Sequence, residues 1–370
     1  MTMDIDTRRM LVDSARRWAA QACGKADREQ ASAHPSGCPP ERWRALGELG
    51  WLAMAVPEAD GGLDAGMPAL CLLAEELGRA LLVEPFVSCA ITGCGLLADA
   101  AAMGTERSAW LAALATGERR VAWMAWEPDG TAGSMPSATA AADGAEWRLN
   151  GSKGLMPGAG GADALLVTAH MPGSSDRVGL FLIESGISGI LLDDTLLYDG
   201  RHGARLSMAD AHGRLLRNGP AGAMAALLEP ALARGRIAHC AETLGTAQAA
   251  LEITLDYARS RKQFGRPLSG NQVIQHRLVD LYVEQQETRA LCLAAAEDST
   301  PERVAALGAR VAEVARLTWS EAIQLHGAIG MTEEYALGEY VRRLALAADL
   351  YGSADSHLEH LAGLSLEINP

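Results

Sequence analysis

Positive charge is scarce in this chain: 32 Lys+Arg face 46 Asp+Glu, a net charge of −14 at pH 7 over 370 residues. Binding nucleic-acid phosphates needs a basic face, so this balance argues against a nucleic-acid partner. Missing too is any apolar run near the roughly 20 residues that cross a bilayer, so no membrane association is expected. The charged stretch Met1 to Arg9 leads into no apolar segment of the kind a secretory signal requires. Cysteine pairs are absent: Cys23, Cys38, Cys71, Cys89, Cys94, Cys240 and Cys292 are scattered without a CxxC, and His and Cys never cluster at metal-ligand spacing. We read them as thiols of a reducing cytoplasm, not as a disulfide frame or a zinc site, and expect no metal. Aromatics make up only 5%, so alanine, leucine and glycine must do most of the packing. With 49% hydrophobic and 21% charged residues the chain is too apolar for disorder. At roughly 100–200 residues per domain its length predicts two or three domains.

Residues 1–120 read as helices. Asp6 to Cys23 is amphipathic, and Pro40-Glu41-Arg42-Trp43 opens a second helix with proline where the first turn tolerates it. Pro57 to Gly66 is a Gly/Asp-rich loop, and Met67 to Leu82, Ser88 to Met103 and Ala109 to Ala115 are helical. Residues 121–218 change to short apolar runs punctuated by Gly and Asp, the pattern of an antiparallel sheet or small barrel. Asn150-Gly151 reads as a two-residue hairpin turn between Glu146–Leu149 and Lys153–Met156. Residues 219–370 are helical again: Pro230 to Arg261, Asn271 to Glu297, and a helix capped by Thr300 that breaks at Gly327. Thr332-Glu333-Glu334 is expected to cap a fourth helix and Ser353 a short last one, giving an up-and-down bundle.

Two long motifs then carry a resemblance. Tyr257-Ala258-Arg259-Ser260-Arg261-Lys262-Gln263-Phe264-Gly265-Arg266-Pro267-Leu268, followed by Gln272-Val273-Ile274-Gln275-His276-Arg277, resembles the signature of the acyl-CoA dehydrogenases. So does Gln324-Leu325-His326-Gly327-Ala328-Ile329-Gly330-Met331-Thr332. Trp126-Glu127-Pro128 and Asn150-Gly151-Ser152-Lys153 look like the family's middle-domain elements, and order and spacing cover nearly the whole chain. Ala241-Glu242-Thr243-Leu244-Gly245 and Leu350-Tyr351-Gly352 are similar to bacterial pimeloyl-CoA dehydrogenase small subunits. The resemblance implies an α+β fold: an N-terminal all-α domain (1–120), a middle antiparallel β domain (121–218) and a C-terminal four-helix bundle (219–370). It also implies an oxidoreductase of fatty acid metabolism, binding FAD non-covalently and removing one hydrogen each from Cα and Cβ of an acyl-CoA thioester. A carboxylate takes the α-proton and flavin N5 the β-hydride.

The glutamate that many relatives carry before the glycine aligned with Gly352 is here Tyr351, and a second family position for the base is Gly235. Glu242 lies seven residues beyond Gly235, two turns along the same helix face, in a nearly uncharged stretch. We expect it to be the catalytic base; the alternative is a glutamate that pairs with His239 at i−3. Arg261 and Phe264 align with residues that meet a neighbouring subunit's FAD, and a guanidinium suits a diphosphate. In that frame Gln272 and Gln275 either take part or are solvated helix residues. Gln324, Gly327 and Ala328 align with the adenosine end, and Ser353 and Asp355 with polar contacts after the vacant base position. In the middle domain, backbone groups from Met124 to Trp126 are the expected flavin contacts, because Pro157 stands where relatives have a Thr or Ser and has neither N–H nor hydroxyl. An adjacent-subunit role for Arg261 implies a homotetramer, or a heterotetramer with a second dehydrogenase-like subunit. The expected partners are an acyl-CoA substrate and an electron-transfer flavoprotein. The rival expectation is a non-catalytic partner subunit that keeps the fold to complete another chain's site. His357 and His360 read as surface histidines, and Glu75-Glu76 as adjacent side chains that point apart.

Overall fold

The computed structural model describes residues 4–100, 105–130, 132, 135–144, 146–173, 176–263, 265–332 and 334–368. Among the described residues helices come first: α1 (Ile5–Ala22), α2 (Lys25–Ser32), α3 (Pro40–Glu48), α4 (Gly66–Arg79), a π-helical stretch at Phe86–Gly93, α5 (Cys94–Asp99) and α6 (Thr105–Thr116), with short 3-10 turns at Leu52–Ala55 and Glu58–Asp60. Seven strands follow: β1 (Val121–Trp123), β2 (Thr139–Asp143), β3 (Glu146–Pro157), β4 (Ala164–His170), β5 (Arg177–Glu184), β6 (Ile190–Leu196) and β7 (His202–Pro220). The chain then returns to helices: α7 (Ala221–Ser260), α8 (Gln272–Glu297), α9 (Pro301–His326), α10 (Leu337–Ala347) and α11 (Ala354–Ile368). By packing it divides into two compact units, residues 25–66 with 83–235, and residues 1–24 with 67–82 and 236–370.

The first unit holds the sheet. Strands β3, β7, β5, β4 and β2 pair in a closed circuit, with β1 also on β4 and β6 on β7. Most pairings are antiparallel, as the sequence pattern of an antiparallel sheet or small barrel implies, while β1 and β2 each run parallel to β4. Strands β4 and β5 are buried along almost their whole length, which requires cover on both faces. The Asn150-Gly151 turn is a correction. Strand β3 runs straight through it and pairs with β7, and the tight connection lies one strand end earlier, at Gly144 between Asp143 and Glu146. Gly151 instead sits at a bulge with φ +123°, where a Cβ would come within 2.8 Å of the Ala138 Cα. Asn150 bonds reciprocally across the sheet with Asp210, its Oδ1 accepting from the Asp210 N–H at 2.9 Å.

The second unit is all helical. α1 is capped by Asp4, whose carboxylate accepts from the Thr7 N–H at 2.7 Å. α9 starts as the sequence predicts, with Thr300 as N-cap and Pro301 in the first turn. α7 begins at Ala221, so Pro230 lies inside it and does not open it. The fourth bundle helix begins at Leu337 after a turn at Tyr335–Ala336, so Thr332 and Glu334 do not cap it; Glu333 lies outside the described residues. Ser353 does cap α11, its hydroxyl accepting from the Ser356 N–H at 3.2 Å.

Small residues let these helices approach. Ala247, Ala250, Ala315 and Ala322 form a core with Leu337 and Leu344, flanked by Trp319 and Tyr340. α4 and α7 touch backbone to backbone at a pair of glycines: a Cβ on Gly245 would lie 1.8 Å from the Glu75 carbonyl oxygen, and one on Gly78 2.0 Å from that of Glu242. The Thr246 hydroxyl reaches the carbonyls of Gly78 and Glu242, each at 3.0 Å. Glu75 and Glu76 diverge as expected, Glu75 to Arg289 on α8 and Glu76 to Arg16 on α1. All seven cysteines are free and buried, and burial pushes the Cys38 and Cys94 thiols up to about 12. They act as packing groups. No helix among the described residues is long and apolar enough to cross a membrane.

Candidate active site

Glu242 sits in the middle of α7, 6% exposed, on a stretch whose neighbours Ala241, Leu244 and Ala247 are also buried. The glycine three residues on is what admits it so deeply, because α4 can then lie directly against this turn of α7. His239, one turn back, is 4% exposed, and its Nδ1 faces the Glu242 Oε2 at 3.6 Å. The other ring nitrogen, Nε2, lies 3.0 Å from the carbonyl oxygen of Ala347 at the end of α10. A carbonyl accepts only, so Nε2 carries a proton and donates it there. The imidazole is further held by Tyr351, whose ring stacks on it at 5.1 Å between centroids and 25° between planes. Tyr351 is 5% exposed and has φ +63°, a left-handed conformation that is uncommon for a bulky residue. The aromatic residue at position 351 is thus packed against the imidazole that faces Glu242.

His357 is a second correction. It is buried, not on the surface; only His360 is exposed. Two glycines make its space, since a Cβ on Gly308 would lie 2.5 Å from its Nε2 and one on Gly352 2.9 Å. Burial, with Arg236, His239 and His360 adding positive charge nearby, pushes its imidazole down from 6.5 to about 4. No group of three potential metal ligands occurs among the described residues.

The residues aligned with cofactor contacts fall at separate places in the fold. Arg261 follows the last turn of α7, exposed, and its guanidinium makes no hydrogen bond or ion pair among the described residues. Its backbone closes the connection to α8, where Lys262–Gln263 pairs with Arg266–Pro267 around Gly265. Phe264 lies outside the described residues. Gln272 is exposed at the start of α8, and the exposed Gln275 spends its amide on the Ser269 carbonyl at 2.7 Å. Gln324, Gly327 and Ala328 are exposed where α9 ends, and Gly327 has φ +63° with open space where a Cβ would point. Ser353 and Asp355 border an open groove of about 440 Å³ between α9, α10 and α11 that also includes Arg316 and Trp319. Met124 is fully buried and its N–H is taken by the Leu166 carbonyl at 2.9 Å, so it is not available as a donor to a flavin. Trp126 is half-buried, and its carbonyl accepts from the Gly154 N–H at 2.8 Å.

Beside Trp126, the sequence motifs hide an ion pair. Lys153 and Glu127 are both buried and bonded Nζ to Oε1; Thr168 Oγ1 lies 3.2 Å from the same ammonium, and Glu127 Oε2 accepts from the Ser137 hydroxyl at 2.6 Å. Burial pulls the Lys153 ammonium below its ordinary range against the pull of Glu127. Nothing in the sequence joins the two motifs directly. The usable signal was Lys153 itself, a cation at the start of the buried part of its strand, ahead of Gly154 and Met156.

With this geometry in place, the chain belongs to the acyl-CoA dehydrogenase family. The family model for the acyl-CoA dehydrogenase N-terminal domain matches residues 5–118, and that for the C-terminal domain residues 224–364. The chain is 28% identical over 359 residues to acyl-CoA dehydrogenase IpdE2 of Mycobacterium tuberculosis, covering 96% of each. It is 29% identical over 348 residues to the mitochondrial short-chain specific acyl-CoA dehydrogenase of Homo sapiens, covering 88% of this chain and 82% of that one. The solved Tcur3481-Tcur3483 steroid ACAD G363A variant superposes with a TM-score of 0.87 at 29% identity over 98% of each chain. The cofactor of the family is FAD. An exposed guanidinium without a hydrogen bond or ion pair among the described residues (Arg261) and a backbone without a side chain (Gly327) are groups whose chemistry fits an anionic diphosphate.

Proposed function

We propose that this chain is an acyl-CoA dehydrogenase in which Glu242 removes the α-proton of the thioester substrate. FAD, when bound, supplies the acceptor for the hydride that leaves Cβ. The observation that carries the reading is a glutamate deep in an apolar helix crossing, in a chain whose other two family positions for a base are Tyr351 and Gly235. The thioester carbonyl acidifies Cα, so a carboxylate within reach of that carbon suffices as base. Arg261 would hold the diphosphate, and Gly327, Ala328 and Gln324 would border the adenosine end. Ser353 and Asp355 would approach from the start of α11. Electrons would leave to an electron-transfer flavoprotein, in a soluble, cytoplasmic homo- or heterotetramer.

The test is Glu242→Gln. It should leave FAD bound and the visible spectrum intact while abolishing substrate-dependent bleaching. Full bleaching by the variant removes Glu242 as base.

A second reading, a non-catalytic partner subunit, is favoured by Tyr351 filling the vacated base position and by Pro157 lacking the usual donor. The name of the Tcur3481-Tcur3483 structure pairs two components, which supports a heteromer. Copurification separates the readings. A yellow homo-oligomer supports the enzyme, and a colourless chain stable only with a paralogue supports the partner.

A further inference from the structure

Lys153, on β3, is 1% exposed, and its ammonium has two partners among the described residues, the Glu127 carboxylate and the Thr168 hydroxyl at 3.2 Å. Glu127 turns its other oxygen to Ser137, accepting from the hydroxyl at 2.6 Å and from the backbone N–H at 3.1 Å. One buried pair thus joins the segment after β1, the segment before β2, and strands β3 and β4. Two charges taken out of water recover little net stability from each other, and apolar residues of similar volume often serve as well or better. What a charge-assisted hydrogen bond adds is direction, because it holds both partners to a narrow geometry. The group so directed lies one residue away. Trp126 precedes Glu127, Gly154 follows Lys153, and the Trp126 carbonyl accepts from the Gly154 N–H at 2.8 Å. A Cβ on Gly154 would stand 2.5 Å from the Glu127 carbonyl oxygen and 3.2 Å from the Trp126 Cβ. The 126–127 peptide therefore lies directly on β3, held by a backbone bond and, beside it, by the ion pair. Trp126 itself keeps part of its surface open.

We propose that Glu127 and Lys153 are positioning residues that act through Trp126: the pair fixes the edge of the middle domain on which the flavin rests. This deepens the functional reading and rests on Trp126 as a flavin contact. A half-open indole offers a planar apolar face and an N–H donor, groups suited to the flat polar ring of a flavin. The ion pair itself is closed to any ligand, since the Lys153 side chain has no exposed surface. Lys153 and Glu127 therefore touch neither cofactor nor substrate. Hydrogen bonds from Lys153 on one oxygen and Ser137 on the other leave the Glu127 carboxylate one orientation. Without Lys153 the carboxylate follows Ser137 alone, and the peptide that carries Trp126 loses the support beside its bond to Gly154.

The experiment uses the full-length chain, 15N-labelled at tryptophan and titrated with FAD; Trp126→Ala assigns the Trp126 indole signal. The double variant Glu127→Gln with Lys153→Met removes both charges but keeps the bulk, and the glutamine can still accept from Ser137. It should regain part of the stability that Lys153→Met alone loses. In both variants the Trp126 signal should shift and the visible circular dichroism of bound flavin should change. FAD should bind both about tenfold more weakly, the lower end of what loss of a support behind a ligand costs at metal sites. Arg148→Ala, which breaks an exposed pair with Asp143 in the same sheet, should change none of the three. If FAD affinity returns with stability in the double variant, or if the Trp126 signal stays where it was, the pair is structural only and the proposal is overturned. The double variant decides this even where Lys153→Met does not fold. If the Trp126 signal moves but Trp126→Ala leaves FAD affinity and the flavin spectrum unchanged, the flavin does not rest on Trp126. The proposal then falls with that contact, whereas Glu242 as base is judged separately by the bleaching test of Glu242→Gln.

Discussion

Replacing glycine by alanine inside a helix is ordinarily stabilising, by about 0.5–1 kcal/mol, because alanine restricts the unfolded chain and gains helix propensity. Two helical glycines of this chain should respond with opposite signs. Gly363 in α11 has nothing within 4 Å of where a Cβ would stand, so Gly363→Ala should stabilise by roughly that amount. At Gly245 the added carbon would stand 1.8 Å from the Glu75 carbonyl oxygen and 3.1 Å from the Arg79 nitrogen, all backbone atoms that no rotamer change can clear. Ordinary carbon–oxygen contact is more than 1 Å longer, so α4 and α7 must separate or shear. Overpacking of this kind costs about 1–3 kcal/mol, occasionally more, which outweighs the ~1 kcal/mol of propensity. The net expectation for Gly245→Ala is a loss of at least about 1 kcal/mol, and more for Gly78→Ala with Gly245→Ala combined. Urea unfolding followed by circular dichroism reads both variants on one scale. The reasoning fails if Gly245→Ala unfolds at the same or higher urea concentration than the parent while Gly363→Ala behaves as expected. A further readout ties the crossing to the site: the 15N signal of His239, one turn from Glu242, should shift in Gly245→Ala and stay fixed in Gly363→Ala.

Three other perturbations follow from the same structure. Lys153→Met leaves Glu127 buried with only Ser137 as partner and should cost about 3–5 kcal/mol, whereas adding Glu127→Gln should recover part of the loss; a thermal-denaturation double-mutant cycle that is strictly additive would contradict the pair. His357 is neutral in the fold down to about 4 but ordinarily titrates near 6.5, so its contribution is complete above pH 6.5 and is lost as pH falls toward 4. That loss amounts to ~2 kcal/mol after allowance for solvent screening, and His357→Gln should flatten the stability profile in that window. Arg261→Ala should weaken FAD binding at least about tenfold, with Arg261→Lys intermediate, while leaving the cofactor-free chain within about 0.5 kcal/mol of the parent. Equal loss of stability and FAD affinity would show that Arg261 is structural.

The helical parts of the fold were legible in the sequence because their boundaries carry local chemistry. Thr300 with Pro301, Pro40, and the Gly265–Pro267 stop all mark termini that the structure keeps. Where the sequence misled, a longer-range interaction had overridden a local preference. Asn150-Gly151 has turn chemistry, but here the asparagine's side chain answers Asp210 across the sheet and the glycine relieves contact with Ala138. Pro230 reads as a helix start, yet α7 already extends two turns before it. His357 and His360 share the same spacing and type, and only the glycines at 308 and 352, one of them on another helix, decide that the first is buried. Within the candidate site, the burial of Glu242 was legible from the uncharged run around it. The orientation of His239 was not, because it is set by a carbonyl 108 residues away.

The structure also shows how α7 accommodates a buried glutamate at position 242. The turn after α10 carries Tyr351 before Gly352. Tyr351 contributes a flat apolar surface against which the His239 imidazole is stacked. A glutamate buried on α7 demands room beside α4, which Gly78 and Gly245 provide, and the His239 imidazole lies 3.6 Å from its carboxyl. These features are mutually dependent. With Glu242 as the proposed base, Tyr351→Glu alone removes the ring stacked on His239 and should reduce α-proton exchange. If position 351 can carry the base in its place, Tyr351→Glu combined with Glu242→Gln should exchange faster than Glu242→Gln alone, and no gain over that single variant would refute the interchange of the two positions.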